Sequence, residues 1–240
     1  MPLTGTLINV ATVLAGTLVG SLFRGRLPER FRETVVHALG LVTLVVGIDG
    51  ALAAFRPPLS LATRASVVIV LGSVLVGGLI GELLSIEGGL NTLAERLKRR
   101  FGRGEPRFTE GFVMGSLVFC VGPLTILGAI QNGLTGDYQL LAIKAVLDGF
   151  AALAFASALG WGVGFSVLTI LVYQGAIALG ASALRDIFTP TTVASLTAAG
   201  GVLILGIGFR LLDLVPVRVA NLLPALVIAP VTFAIVMRMR

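Results

Sequence analysis

The residues best suited to chemistry in this chain are Lys144 and Asp148, which stand four residues apart inside an apolar sequence. On a helix this spacing places both side chains on one face, where they can form an ion pair. An ionised side chain within a membrane span costs about 2.5 to 3.5 kcal/mol on insertion scales, and such residues usually face a bundle interior or a water-filled path. The pair is therefore a candidate for an ion or solute pathway. A structural clasp between helices is the alternative.

The surrounding stretch, from Phe119 to Gly149, contains a Gly-Pro break at Gly122 and Pro123 and an amide pair at Gln131 and Asn132. Proline has no N–H and clashes with the preceding turn, so the break frees backbone groups at membrane depth. Freed groups are tolerated only where protein or a water-filled cavity surrounds them. We therefore expect the break and the amide pair to line a site.

Other polar residues are predicted at similar depths. Asn9 and Asp49 fall near the outer ends of the first and second predicted spans, and Gln174 falls about midway along the sixth. Asp137 precedes an apolar run, where a carboxylate typically caps the following helix. Together these residues outline a polar funnel that opens outward and narrows toward Asp148.

Composition places these residues in a membrane. The chain is 56% hydrophobic and only 12% charged, with a mean hydropathy of +1.00, and a soluble domain carries roughly twice that charged fraction. The sequence predicts one integral membrane domain, residues 1–240, partnered by the lipid bilayer. Its net charge of +6 lies in loops between apolar runs, which argues against nucleic-acid binding.

Segments of about 20 apolar residues predict an all-α, polytopic transmembrane helix bundle of about eight spans. There are seven if the last segment, broken by Pro224 and Pro230, re-enters the membrane. The predicted spans are 4–23, 35–55, 65–84, 109–130, 139–159, 163–184, 194–212 and 217–237.

Basic residues predict the orientation, because cytoplasmic loops carry an excess of Lys and Arg. The loops after spans one, three and seven hold most of them, and the opposite side holds fewer. Both termini are therefore predicted outside the cytoplasm. The richer loops contain Arg24, Arg26, Arg30, Arg32, Arg96, Lys98, Arg99, Arg100, Arg103, Arg107, Arg210 and Arg218, and the poorer side contains Arg56, Arg64, Arg185, Arg238 and Arg240.

Two segments, Leu27–Leu39 and Ile86–Phe101, mix charged and apolar residues at helical spacing. Both are interpreted as amphipathic helices in the cytoplasmic interface, with an ordinary solvated loop helix as the alternative. His37, on the apolar side of the first, is interpreted as a packed interfacial residue.

An internal repeat is also predicted. VLAGTLVGSLF from Val13 aligns with VLGSVLVGGLI from Val70, and AAGGVLILGIGFR ending at Arg210 is a weaker third copy. All copies run in one direction in the predicted topology, which gives parallel two-helix repeats. Glycines also recur at four-residue spacing, as at Gly16 with Gly20, which favours close packing within the chain. A homo-oligomer interface is the alternative.

Catalytic patterns are absent from the sequence. One cysteine, Cys120, and one histidine, His37, exclude a disulfide framework and a Cys/His metal cluster within one chain. Gly136-Asp137 resembles the Gly-x-Gly-Asp of intramembrane aspartyl proteases, but Leu134 occupies the position of the first Gly. We expect no enzyme activity, no metal and no cofactor.

Six motifs occur together along the whole chain: GTLIN, LPER, GGLIGE, CxGPLTILGAIQNGLTGD, KAVLDG and NLLPAL. In this combination the sequence resembles the YqgA/YdfK-like bacterial inner-membrane proteins, domain of unknown function 554. The resemblance implies a single-domain, multi-span protein of the inner membrane. It implies no substrate or mechanism.

Two functions fit the residues. The first is a transporter or channel for a small ion or polar solute, with its site at the broken fourth span and the fifth span. The second is a membrane scaffold or sensor whose buried polar residues only hold the helices together.

Overall fold

The computed structural model describes residues 1–24, 28–57, 59, 64–102, 104–184 and 189–238. Leu27 and the predicted loop arginines Arg26, Arg103, Arg185 and Arg240 lie outside these residues. The described chain contains helices and no strand. The main helices are α1 Thr4–Arg24, α2 Glu29–Ala51, α3 Arg64–Leu83, α4 Ile86–Phe101, α5 Phe108–Val121, α6 Pro123–Thr135, α7 Gln139–Leu159, α8 Val167–Leu179, α9 Pro190–Leu211 and α10 Ala225–Arg238. Short 3-10 segments cover Leu52–Phe55, Trp161–Ser166 and Val219–Leu222, and Ala181–Leu184 forms one further helical turn.

Seven helices in the described ranges are long and apolar enough to cross a membrane. An eighth span results if α5 and α6, whose axes differ by 62°, count as one. The prediction of a polytopic helical membrane protein with seven or eight spans is confirmed. The difference between seven and eight, however, lies at 108–135, because the last segment, Val219–Val236, meets the length and hydropathy requirements despite its prolines.

The N-terminal part of α2 differs from the prediction. Leu27–Leu39 was expected to form a separate interfacial helix, but one continuous helix runs from Glu29 to Ala51. No glycine or proline interrupts residues 29–39, so nothing in the backbone ends the helix before the apolar part begins. The second predicted amphipathic segment, Ile86–Phe101, coincides with α4.

The described chain divides into two compact units. The first unit contains Met1–Leu39, Gly89–Cys120 and Leu124–Ala183, and the second contains Gly40–Gly88, Val121–Pro123 and Leu184–Arg240.

In the first unit, α1 lies directly against α7. A Cβ atom at Gly16 would collide with the carbonyl oxygen of Gly149, and one at Gly20 would collide with the carbonyl oxygen of Leu153. Only hydrogen side chains permit this approach, which is typical of membrane helices that pack through small residues. These two glycines therefore pack within the chain, as the first interpretation of their spacing proposed.

Glycines also permit close backbone packing in the second unit. A Cβ atom at Gly81 of α3 would collide with the carbonyl oxygen of Asn221, and one at Gly77 would lie 2.6 Å from the backbone nitrogen of Ala225. The glycines of α3 thus allow it to pack closely against the 3-10 segment Val219–Leu222 and the first residue of α10.

Candidate functional site

The Lys144–Asp148 ion pair forms in the first unit, along one face of α7. Only 6% of the Lys144 side chain and 11% of the Asp148 side chain are exposed. The pair is therefore buried, and each charge is compensated by the other.

Amide and hydroxyl groups of two other helices extend this pair into a buried polar cluster. Asn9 Nδ2 on α1 donates to Gln174 Oε1 on α8 at 3.2 Å, and Gln174 Nε2 donates to Thr6 Oγ1 at 3.2 Å. The Asn9 side chain also lies near the Asp148 carboxylate. Asn9 and Gln174 are fully buried. The structure thus joins Asn9, Gln174, Lys144 and Asp148, four of the predicted site residues, and adds Thr6.

Asn132 on α6 fastens the beginning of α1. Its Oδ1 accepts a hydrogen bond from the backbone N–H of Gly5 at 3.1 Å, and its Nδ2 donates to the carbonyl of Met1 at 3.2 Å. The first N–H groups of a helix have no partner within the helix. Asn132 satisfies one of them and so anchors the first turn of α1. Thr6 lies in this turn, and Asn132 therefore helps to position the cluster.

Gln131 points to a different partner. Its Nε2 donates to Asp137 Oδ2 at 2.7 Å, and Asp137 Oδ1 accepts from the backbone N–H of Gln139 at 3.0 Å. Asp137 therefore caps the first turn of α7, as its position in the sequence predicted. Gln131 supports that cap.

The break at Gly122 and Pro123 has a specific compensation. In a continuous helix the carbonyl of Phe119 would accept from the N–H of residue 123, which proline lacks. Thr125, fully buried, donates its hydroxyl to that carbonyl at 3.1 Å. Sequence reasoning missed Thr125, although a threonine two residues after the proline was the available signal.

The last residue of α5 in the first unit, Cys120, lies close to the ion pair. Cys120, two residues before Gly122, is buried within reach of the charges of both Lys144 and Asp148. The end of α5 therefore belongs to the surroundings of the polar cluster.

Asp49 does not join the cluster. It belongs to the second unit, where its Oδ1 accepts from the guanidinium of Arg56 at 2.8 Å, and 71% of its side chain is exposed. Asp49 therefore has the environment of a surface ion pair.

A second charged group, in the second unit, was not predicted. The Glu87 carboxylate accepts from Arg210 at 2.6 Å and from the backbone N–H of Ala220 at 3.0 Å. Asn221 accepts from the Glu87 N–H at 2.7 Å and donates to Glu82 at 2.6 Å. Glu82, whose side chain is 55% exposed, also pairs with Arg218. Sequence alone could not join residues more than 120 positions apart.

Among the described residues, no group of three or more His, Cys, Asp or Glu side chains could hold a metal ion. A surface groove of about 360 Å³ lies along α4, lined by Asn91, Thr92, Glu95, Arg96 and Arg99. None of these residues belongs to the polar cluster.

The fold and the cluster together define a polytopic, all-α membrane protein with a buried ion pair in its first unit. The chain belongs to the family described as "Protein of unknown function (DUF554)", whose match covers residues 4–234. This confirms the family resemblance seen in the motifs.

Two relatives match over nearly their whole length. The "Uncharacterized membrane protein YdfK" of Bacillus subtilis (strain 168) is 28% identical over 232 residues, covering 97% of this chain and 96% of the relative. The "Uncharacterized protein YqgA" of Escherichia coli (strain K12) is 35% identical over 231 residues, covering 94% of each. No solved structure matches the chain.

Proposed function

We propose that this protein moves a small ion or polar solute across the bacterial inner membrane, with the Lys144–Asp148 cluster as its binding site. The observation that carries the proposal is a buried ion pair linked to side chains of two further helices. Ionisable residues at membrane depth are expensive and usually mark an ion or substrate pathway. A clasp needs only the two charges, whereas here Asn9 and Gln174 add further hydrogen-bonding groups.

The helix break strengthens the proposal. Discontinuous helices in transporters place backbone dipoles beside the substrate site, and α6 begins at Pro123, close after Cys120. The N-terminal end of α6 carries a partial positive charge. We propose that α5 and α6 form one broken span.

The proposed topology places both termini outside the cytoplasm and α4 in the cytoplasmic interface. The basic last turn of α4, with Lys98, Arg99 and Arg100, supports this orientation through the excess of positive charge in cytoplasmic loops. The proposed role is transport, without catalysis.

The competing function is a scaffold or sensor in which the pair is a clasp. It is favoured by one observation: Lys144 and Asp148 already satisfy each other's charge. The two functions predict different behaviour for Asp148→Asn, which keeps the shape of the side chain and removes its charge.

If the pair serves transport, purified Asp148→Asn in liposomes should lose flux while its unfolding temperature stays near that of the wild type. The fluxes to measure are those of Na⁺, K⁺, H⁺ and Cl⁻. If the pair is a clasp, the single change leaves Lys144 unpaired and costs about 3 to 5 kcal/mol of stability. Adding Lys144→Met should then restore much of it.

The matched control is Asp49→Asn, which breaks an ion pair of exposed side chains. Exposed pairs contribute about 0 to 1 kcal/mol, so this variant should keep both flux and stability. Loss of stability in Asp148→Asn, rescue in the double variant and wild-type flux throughout would refute the transport proposal.

A further inference from the structure

Three buried polar atoms on α1 have no hydrogen-bond partner within the part of the chain that the structure describes. They are Asn9 Oδ1, Thr17 Oγ1 and Ser21 Oγ. Asn9 is fully buried, and Thr17 is 5% exposed. An unsatisfied buried polar group costs about 1 to 3 kcal/mol, so three on one membrane helix require an explanation.

These atoms lie along a single stripe of α1. Thr6, Asn9, Val13, Thr17, Ser21 and Arg24 follow one another at intervals of three or four residues, which keeps them on one face of a helix. The stripe extends about 27 Å at 1.5 Å per residue, close to the hydrocarbon thickness of about 30 Å. It therefore runs nearly the full depth of a bilayer.

Polar groups stand at both ends of the stripe. Near its start, Asn9 meets Asp148 and Gln174. At its end, Arg24 forms an ion pair with Glu105, next to Gly160. The stripe thus connects the proposed binding site with the C-terminal end of α1.

Water molecules or ions would satisfy the unpartnered atoms. A buried water typically makes about three hydrogen bonds to otherwise unsatisfied polar groups. Irregular or polar features persist at membrane depth where they line a water-filled cavity. The oxygens of Thr6, Asn9, Thr17 and Ser21 along α1 fit that environment.

The available atoms favour a cation. The charges of Lys144 and Arg24 are compensated by Asp148 and Glu105, so neither is free to hold an anion. The remaining groups are oxygens, which are the preferred ligands of hard cations. The N–H₂ groups of Asn9 and Gln174, which could bind an anion, already donate within the cluster.

Resting on the proposed function, we propose that the α1 stripe is a hydrated path for a small monovalent cation, H⁺ or Na⁺, between Asp148 and the Arg24 end of the helix. Val13, fully buried between Asn9 and Thr17, closes the path in this structure. Conduction requires a conformation in which the Val13 side chain leaves the stripe.

The hydration of the path can be measured without any transport assay. In a Cys120→Ala background, Thr17→Cys and Ser21→Cys should react with Ag⁺, a small thiol-reactive monovalent cation. Protection from a maleimide added after denaturation reports the reaction. The matched control is Leu18→Cys, because Leu18 is 68% exposed on the lipid-facing side of the same helix.

We expect Ag⁺ to modify positions 17 and 21 at least tenfold faster than position 18, and Val13→Ala to increase the rate at position 17. Equal rates at 17, 18 and 21, or no reaction at 17 and 21, would overturn the path. The comparison remains valid if the protein transports nothing.

Flux measurements test the path separately from the proposed function, and they show whether H⁺ or Na⁺ is the conducted ion. Wild-type liposomes are tested with a proton gradient and a pH dye, and with a gradient of radioactive Na⁺. Thr17→Val with Ser21→Ala should reduce the conducted flux about tenfold in the matching arm. Labelling without H⁺ or Na⁺ flux would overturn the cation path and leave only a hydrated stripe. If K⁺ and Cl⁻ flux are absent as well, the transport proposal is refuted. Anion flux without labelling would refute the stripe alone.

Discussion

At the scale of single residues, the structure assigns a backbone role to Thr125. Its hydroxyl replaces the donor that Pro123 removes from the helix, so the break leaves no orphan carbonyl at Phe119. A helix break in a membrane is tolerated only when its freed groups are satisfied locally. Thr125 is therefore part of what makes the break between α5 and α6 stable.

Thr125→Val should lower the free energy of unfolding by about 1 to 3 kcal/mol, because it leaves the Phe119 carbonyl unsatisfied with little change in side-chain volume. Unfolding in detergent, followed by the fluorescence of the single tryptophan, Trp161, measures the change. Thr125→Ser keeps the hydroxyl and should lie close to the wild type.

Thr34→Val is the control for that measurement. Thr34 makes the same kind of bond to the carbonyl of Arg30, but at an exposed position, where water can replace the donor. A stability loss at Thr34 equal to that at Thr125 would contradict the assigned role.

Much of the polar cluster could be predicted because part of it is local. Lys144 and Asp148 share one helix, and a spacing of four residues fixes their relative position. Asn9 and Gln174 lie 165 positions apart, so their contact depends on which helices are neighbours. The spacing of residues within one segment does not show which helices are neighbours. The contacts of Glu87 could not be predicted for the same reason.

At the scale of helices, backbone contact between α1 and α7 holds the cluster together. Asn9 and Asp148 stand on these two helices, so any separation of the helices also separates the two side chains. The glycines at the contact therefore control the geometry of the proposed site.

Gly16→Ala should destabilise the protein and reduce any transport, because the added Cβ collides with the carbonyl oxygen of Gly149. Backbone atoms cannot move aside as a flexible side chain can. Unfolding temperature and liposome flux are the two measurements.

The matched control is Gly72→Ala on α3. Nothing lies within 4 Å of a Cβ built at Gly72, and alanine stabilises a helix interior by about 0.5 to 1 kcal/mol relative to glycine. This variant should be as stable as the wild type or more so. Destabilisation at Gly72 would indicate a contact with another chain, as a homo-oligomer would supply.

Helix positions were largely predictable from apolar length, since a span must be about 20 residues long whatever it packs against. The residues at which helices begin and end were less predictable. At α2 the prediction ended one helix and began another where charged residues give way to apolar ones, but a change in polarity does not break backbone hydrogen bonds. Proline removes a backbone donor and glycine lowers helix propensity, and residues 29–39 contain neither.

At the scale of the whole molecule, the number and direction of the spans set the topology. The parallel two-helix repeats expected from the Val13 and Val70 segments stay a prediction. Superposition of α1 and α2 on α3 and the fourth span, formed by α5 and α6, in an experimental structure would test them, and an antiparallel relation would remove the repeat.

A reporter fused after the C-terminus should be active outside the cytoplasm, because an even number of spans returns the chain to the side on which it began. An impermeant reagent should label Lys98 and its neighbours only from inside. A cytoplasmic C-terminal reporter would exclude eight spans and favour a re-entrant pair at α5 and α6.

The Glu87 contacts also set an order of events during synthesis. Arg210, the partner of Glu87, lies 123 positions later in the chain. At about 5 to 20 residues per second, roughly 6 to 25 s pass between the synthesis of the acid and that of its arginine. Throughout this interval the Glu87 carboxylate must stay in water or at the headgroups, so the second unit acquires its buried charge only after Arg210 has been synthesised.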